Sequence, residues 1–135
     1  MLFILKDKAR KGIDIRVTCK ENGQPIYCDR EYMRLCLINL LLNAIQAIED
    51  KGVVHIECGR EDSYSCISVI DDGGGIGPEE LDKIFEPYYS TKKLGIGLGL
   101  SVTKRFVEEH GGTISIASKV GEGTTITIKV PYHEA

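Results

Sequence analysis

The chain has 135 residues, with 42% hydrophobic and 27% charged residues and a formal net charge of −3. This length corresponds to one domain whose core needs no disulfide or metal for stability, and the acidic balance disfavours nucleic-acid binding as the main function. The five cysteines are odd in number and lack C-x-x-C spacing, which is typical of small buried thiols in a reducing cytosol rather than of a zinc site or disulfide framework.

The predicted elements follow from the spacing of apolar residues, because alternation is typical of strands and three- or four-residue steps are typical of helices. The first half predicts a helix remnant or linker at 1–11, a strand from Ile13 to Val17, an Asn-Gly hairpin at 21–24 with a return strand at 25–28, and a helix from Arg30 to Asp50. The second half predicts strands at 53–60 and 65–71, a short helix from Pro78 to about Phe85, a helix at 98–110, and strands at 113–118 and 124–130. We expect an α/β (α+β) two-layer sandwich, in which about three helices cover one face of a mixed sheet of about five strands.

The longest apolar stretch, Leu35 to Ile48, is interrupted by two asparagines and a glutamine. It is too short and too polar to span a bilayer, and the apolar run at residues 1–5 meets charged residues too soon for a signal peptide. We therefore expect a cytoplasmic domain without membrane contact. The abrupt start suggests a segment of a longer protein, with residues 1–135 forming a single domain.

Asn39 and Asn43 lie four residues apart in the long helix, which places both on one face. Asparagine is a poor helix former, so its presence twice in an apolar helix requires a reason. One interpretation is a pair of buried amides that neighbouring backbone groups satisfy. The other is that an amide oxygen is a hard ligand for Mg²⁺, which accepts few protein oxygens and retains phosphates and waters as its other ligands.

A glycine-rich loop, residues 71–77, follows a predicted strand and begins with two aspartates. A carboxylate at the end of a strand can accept a hydrogen bond from an exocyclic amine such as that of adenine, and glycines let a flat ring approach the backbone closely. The alternative is a plain glycine turn. A calcium loop is disfavoured because the alternating ligands of an EF-hand are missing.

A second glycine-rich segment, residues 95–100, runs directly into the helix predicted at 98–110. Free N–H groups and the positive end of a helix dipole suit a phosphate chain. No strand precedes this segment as in a dinucleotide fingerprint, and the chain has no P-loop motif. Lys92 and Lys93 would either reach the phosphates or remain solvated. The aromatic residues between the loops, Phe85 to Tyr89, would anchor a mobile loop or belong to the core.

In chain order, the asparagine helix, the first glycine loop, the aromatic segment and the second glycine loop resemble the N, G1, F and G2 boxes of sensor histidine kinases. These boxes form the catalytic ATP-binding domain of that family, in the superfamily with DNA gyrase B, MutL and a heat-shock chaperone. The segments Asn43–Ala47 and Ser90–Lys92 are most similar to the nitrogen-regulation type with a short ATP lid. The resemblance implies a Bergerat-type fold with ATP and Mg²⁺ as cofactors.

The resemblance also implies residue roles. Asn43 would bind Mg²⁺, Asn39 would lie near the metal and phosphates, and Lys92 would contact the γ-phosphate, which makes these three the catalytic candidates. Asp71 would bind the adenine amine. The further nucleotide contacts implied are Gly73, Gly75 and Ile76 at the purine, Gly95, Gly97, Leu98, Gly99 and Leu100 at the lid and phosphates, and Thr125 near the adenine end.

Asn39 stands where the ATP-hydrolysing branches of the superfamily carry a glutamate. A neutral amide cannot act as a general base at pH 7, so we expect a histidine protein kinase in which positioning and Mg²⁺ provide most of the catalysis. None of the histidines, His55, His110 and His133, lies in an acceptor-like sequence, and we interpret them as structural. The acceptor would lie on a separate dimerisation domain, and the further partner would be a response regulator. The isolated, mainly monomeric chain would then bind ATP without autophosphorylation.

The alternative function is a free-standing anti-sigma-type Ser kinase or nucleotide-gated regulatory module of the same fold. A scaffold that has lost nucleotide binding is disfavoured by the intact Asn43, Asp71 and glycine loops. An NAD-binding protein is disfavoured because the βαβ context of its fingerprint is absent.

Overall fold

A mixed sheet organises the part of the chain that the computed structural model describes, which comprises residues 12–19, 30–61, 64–86 and 99–131. Its elements are β1 (Ile13–Cys19), α1 (Arg30–Ala47), β2 (Gly52–Glu61), β3 (Tyr64–Asp71), α2 (Pro78–Leu81), α3 (Gly99–Glu109), β4 (Thr113–Lys119) and β5 (Gly123–Pro131). The five strands lie in the order β1-β2-β3-β5-β4, with β1 parallel to β2 and the other pairs antiparallel. The predicted two-layer fold is therefore confirmed.

Two helices end earlier than the sequence predicts. After α1, the backbone N–H of Ile48 bonds the carbonyl of Ile45 in a tighter turn, so the helix stops at Ala47 rather than at Asp50. After α2, the chain continues in three-residue turns instead of helix. The predicted remnant at 1–11 and the hairpin at 21–28 lie outside the described residues.

The core lies between the sheet and the two longer helices. Its most fully buried apolar side chains come from α1, α3 and the three central strands, and they include Leu40, Ile45, Val54, Val107 and Ile128. Burial alternates along β3 and β5, because one face of each strand meets the helices while the other stays partly open. On the open face, Ser68 and Thr127 are joined by a 2.9 Å hydrogen bond. None of the helices in the described ranges is long and apolar enough to cross a membrane.

Three cysteines have described side chains, and none of these three forms a disulfide. Cys36 of α1 is fully buried, as predicted, whereas Cys58 and Cys66 are only partly buried on neighbouring strands. Burial and the nearby Glu61 carboxylate raise the pKa of the Cys66 thiol. Because the thiolate is the reactive form, Cys66 is held in its less reactive state at neutral pH.

Candidate functional site

A cavity of about 270 Å³ opens between the second half of α1, the glycine loop after β3 and the start of α3. Its lining combines apolar side chains with a few polar groups, as is common in small-molecule sites. The lining residues are Asn43, Gln46, Ala47, Glu49, Asp71, Gly75, Ile76, Glu80, Ile84, Leu100, Thr124 and Ile126. The structure thus brings together five of the sequence-predicted site residues: Asn43, Asp71, Gly75, Ile76 and Leu100.

Asn43 reaches the cavity from α1 with its amide oriented by the helix itself. The side-chain Nδ2 donates a 2.8 Å hydrogen bond to the backbone carbonyl of Asn39, one turn earlier. The helix engages the amide nitrogen of Asn43, and the other polar atom of the amide is an oxygen, the kind of atom that a hard cation requires. The backbone bond and a metal contact are therefore compatible, and the role of Asn43 as a ligand of Mg²⁺ remains a prediction.

Asn39 has a different environment. Its Nδ2 donates a 3.2 Å hydrogen bond to Oγ1 of Thr103, which is completely buried on α3. Among the described residues, Asn39 does not line the cavity. Its side chain instead connects the two long helices beside the site, and its predicted place near the metal and phosphates remains a prediction.

The glycine loop is fastened to the fold by backbone hydrogen bonds on both sides. The N–H of Gly74 bonds the last carbonyl of α1, that of Ala47, at 3.3 Å. The carbonyl of Gly74 accepts a 2.9 Å bond from the N–H of Gly121, in the turn between β4 and β5. The loop is therefore held in place by two separate elements, and its shape is fixed by the fold.

Glycine is required at Gly73 and Gly75, where the loop packs against the end of α1 and the end of β4. A Cβ atom on Gly73 would lie 2.5 Å from the Ala47 carbonyl oxygen. Gly75 has φ +77°, and a Cβ atom there would overlap the carbonyl of Lys119. From the sequence alone, these glycines are expected to admit a flat ring. The structure shows that they allow close approach of the protein's own backbone, while Gly75 also lines the cavity.

The two aspartates that open the loop have separate environments. Asp71 is buried, lines the cavity, and accepts a 2.9 Å hydrogen bond from the Gly73 N–H through Oδ1. Asp72 is exposed and accepts a 2.9 Å bond from the Val53 N–H at the start of β2. Of the two aspartates, Asp71 lines the cavity whereas Asp72 anchors a strand, and the contact of Asp71 with adenine remains a prediction.

Thr124, rather than the predicted Thr125, reaches the cavity from β5. Buried positions alternate along this strand, and Thr124 shares the inward face with Ile126. Thr125 lies on the opposite face because successive side chains of a strand alternate. The sequence contains this information, because Thr124 belongs to the same every-second-residue series as the apolar residues Ile126, Ile128 and Val130.

Apolar side chains beyond the predicted site residues form much of the wall. Ile84, after α2, and Ile126 of β5 line the cavity beside the predicted Ile76 and Leu100. Phe85 packs against the core, and the Lys104 ammonium of α3 lies 5.3 Å from the centre of its ring. This contact connects the described start of the aromatic segment with the helix that follows the second glycine loop.

Several predicted site residues cannot be compared with the fold. Lys92, Gly95, Gly97 and Leu98, together with the short lid, lie outside the described residues. Gly99 is the first residue of α3.

Of the predicted structural histidines, His55 forms a 2.8 Å hydrogen bond with Thr18 through Nε2. The other histidine in the described ranges, His110, donates from Nδ1 to the Phe106 carbonyl at 2.9 Å. Neither His55 nor His110 lines the cavity. His133 lies outside the described residues.

Comparisons of this chain with known proteins all identify the same family. Residues 28–134 match the model of the histidine kinase-, DNA gyrase B- and HSP90-like ATPases. Sensor histidine kinase ZraS of Escherichia coli (strain K12) is 41% identical over 131 residues, which are 97% of this chain and 28% of that protein. The chain therefore spans less than a third of that relative.

Solved structures agree with this match. The catalytic domain of histidine kinase ThkA superposes with a TM-score of 0.86 at 29% identity, over 97% of this chain and 86% of that one. Full-length ShkA in complex with AMPPNP gives a TM-score of 0.89 at 27% identity, over 99% of this chain and 28% of that one.

These relatives are histidine kinases, so the alternative of a free-standing anti-sigma-type Ser kinase is not favoured. The element order, the mixed sheet, and the meeting of Asn43 with Asp71 in one cavity are the features expected from the resemblance. The chain belongs to the histidine kinase-, DNA gyrase B- and HSP90-like ATPase family, and within it to the catalytic ATP-binding domains of sensor histidine kinases.

Proposed function

We propose that this domain binds Mg·ATP in the cavity beside α1 and donates the γ-phosphoryl group to a histidine on a separate dimerisation domain. The observation that carries the proposal is the meeting of Asn43 and Asp71 in one cavity. The first offers an oxygen suited to Mg²⁺, and the second offers a carboxylate suited to an amine. Together they would orient a nucleotide along the cavity, with its base at Asp71 and its phosphates toward Asn43.

The adenine ring would be held at the Asp71 end. Ile76, Ile84, Leu100 and Ile126 provide apolar surfaces for a flat ring. The Asp71 carboxylate already accepts the Gly73 N–H, but a carboxylate has two oxygens with about four acceptor sites and can accept the 6-amino group as well. The bond from Gly73 fixes the carboxylate before the base arrives, which reduces the entropy lost on binding.

The Asn43 amide oxygen fits Mg²⁺ because it is a hard oxygen ligand, and the hydrogen bond from the amide nitrogen to the carbonyl of Asn39 would hold the amide in place. When bound, Mg²⁺ would neutralise charge on the phosphate oxygens and on the leaving ADP. Lys92, Gly95, Gly97, Leu98 and Gly99 would contact the phosphates. This part of the proposal rests on the family resemblance and on the position of Gly99, the last glycine of the second glycine-rich segment, as the first residue of α3.

The transfer itself requires an external nucleophile. A histidine ring nitrogen would supply the electron pair for the new P–N bond, and ADP would leave with the electron pair of the broken P–O bond. The Asn39 amide has no basic site that could deprotonate water, and its nitrogen is bonded to Thr103. Slow hydrolysis and transfer to histidine are therefore expected together.

The partners follow from the family. We propose that the acceptor histidine lies on a dimerising helical domain of the same protein, and that a response regulator receives the phosphoryl group. A solved structure of ThkA in complex with the response regulator protein TrrA supports the second partner. We further propose that the domain is cytoplasmic, makes no membrane or nucleic-acid contact, and is monomeric and unable to autophosphorylate when isolated.

The transfer can be tested by exchanging this chain for the matching region of ZraS and supplying γ-³²P-labelled ATP with Mg²⁺. We expect label on the hybrid kinase that is lost in acid and stable in base, as is characteristic of phosphohistidine. Acid-stable label would indicate a Ser kinase instead. Rapid release of inorganic phosphate without labelled protein would indicate an ATPase, and either result would contradict the proposal.

Replacement of Asn43 by alanine should abolish the Mg²⁺-dependent part of nucleotide affinity, because the amide oxygen is lost while the helix keeps its backbone bonds. Calorimetric titration of ADP with Mg²⁺ and with EDTA measures this part directly. The metal-free affinity provides the internal control and should change little. If Asn43→Ala binds Mg·ADP as tightly as the parent chain does, the metal assignment is incorrect.

Replacement of Asp71 by alanine should weaken ATP binding by about tenfold or more, because a hydrogen bond to a charged acceptor is lost. Binding of inorganic tripolyphosphate should be unaffected. Asp72→Ala is the matched control, since that carboxylate bonds Val53 and does not line the cavity. Equal loss for ATP and tripolyphosphate in Asp71→Ala would contradict the adenine role.

A further inference from the structure

Ser118, at the end of β4, makes three hydrogen bonds beside the adenine end of the cavity. Its Oγ accepts a 2.7 Å bond from the Ile76 N–H of the glycine loop. The same oxygen lies 3.0 Å from the carbonyl of Gly123 and 2.7 Å from Oγ1 of Thr124. Ser118 is not among the residues that line the cavity, so its effect on a ligand would pass through these neighbours.

The direction of each of these bonds follows from what the partners can do. The Ile76 N–H can only donate and the Gly123 carbonyl can only accept. A serine hydroxyl has one hydrogen, which the bond to Gly123 uses. The Thr124 hydroxyl must therefore donate to Ser118, and what it retains for the cavity is acceptor capacity alone.

Asp71 and Thr124 are paired neighbours on β3 and β5, and both line the cavity. The Asp71 carboxylate is an acceptor, so two adjacent side chains present acceptors at the same end. Three backbone donors of the glycine loop are engaged within the protein: the N–H of Gly73 bonds Asp71, that of Gly74 bonds Ala47, and that of Ile76 bonds Ser118.

We infer that Ser118 is a positioning residue that withdraws two donors, the Ile76 N–H and the Thr124 hydroxyl hydrogen, from this end of the cavity and thereby favours purines with a 6-amino group over purines with a 6-oxo group. The inference rests on the proposed function, since it concerns how the same site distinguishes bases. A 6-amino group donates to both acceptors. A 6-oxo purine has a single donor on this edge, N1–H, which can pair with only one of the two acceptors, so its 6-oxygen would face the other acceptor and leave buried groups unpaired, which sites of this kind penalise strongly.

The test compares ATP with ITP, which carries a 6-oxo group in place of the 6-amino group. Calorimetric titration of the parent chain should show a clear preference for ATP. In Ser118→Ala, the Ile76 N–H and the Thr124 hydroxyl are released and can donate to a carbonyl, so the ATP-to-ITP preference should fall by about tenfold. Ser115→Ala, an exposed position on the same strand, is the matched control and should keep the parent preference.

A merely structural role would lower both affinities equally and leave their ratio unchanged, which would overturn the inference. If Ser118→Ala does not fold, Thr124→Val serves instead. This variant removes the Thr124 acceptor while Ser118 keeps its hydrogen bonds to Ile76 and Gly123, so the ATP-to-ITP preference should again fall. An unchanged ratio in Thr124→Val would overturn the inference as well. If the parent chain binds neither nucleotide, the proposed function fails. A strong ATP preference that persists in these variants would contradict the role of Ser118 and leave the proposed function intact.

Discussion

The site depends on the contact of the glycine loop with two backbone carbonyls, one at the end of α1 and one at the end of β4. Gly73 fits against Ala47, and Gly75 fits against Lys119 with a positive φ. These close approaches determine where the loop leaves the sheet, and hence where Asp71 presents its carboxylate. They also connect the asparagine helix to the strands that carry Thr124, so the polar groups of the cavity occupy fixed relative positions.

Two pairs of like polar residues lie at or near the cavity, and only one member of each pair lines it. Asp71 lines the cavity, whereas the adjacent Asp72 holds the start of β2. Asn43 lines the cavity, whereas Asn39 bonds α3. The lining members are also hydrogen-bonded, Asp71 by the Gly73 N–H and Asn43 to the Asn39 carbonyl. Each such bond contributes only about 1 kcal/mol of net stability, but it also fixes the orientation of a side chain that lines the cavity. Under the proposed function, such preorganisation would favour binding and transfer because the groups need not reorganise during the reaction.

Much of this arrangement could be predicted from local sequence. The elements follow from periodicity, and Asp71 follows from its position between a strand and a glycine loop. The partner of Asn39 could not be predicted, because Thr103 is 64 residues away and only packing of the two helices brings them together. The inward threonine of β5 was misplaced by one residue, and a shift of one residue moves a side chain to the other face of a sheet. The roles of Lys92 and of the phosphate loop remain predictions.

The most direct test of the account is the affinity for Mg·ATP of Gly75→Ala compared with Gly74→Ala, measured by calorimetry. A Cβ atom on Gly74 meets nothing within 4 Å, whereas one on Gly75 overlaps the Lys119 carbonyl at a positive φ. If the fixed loop shapes the nucleotide site, Gly75→Ala should lose roughly tenfold or more in affinity, while Gly74→Ala should bind as the parent chain does. Equal affinity in the two variants would contradict the dependence of the site on this loop.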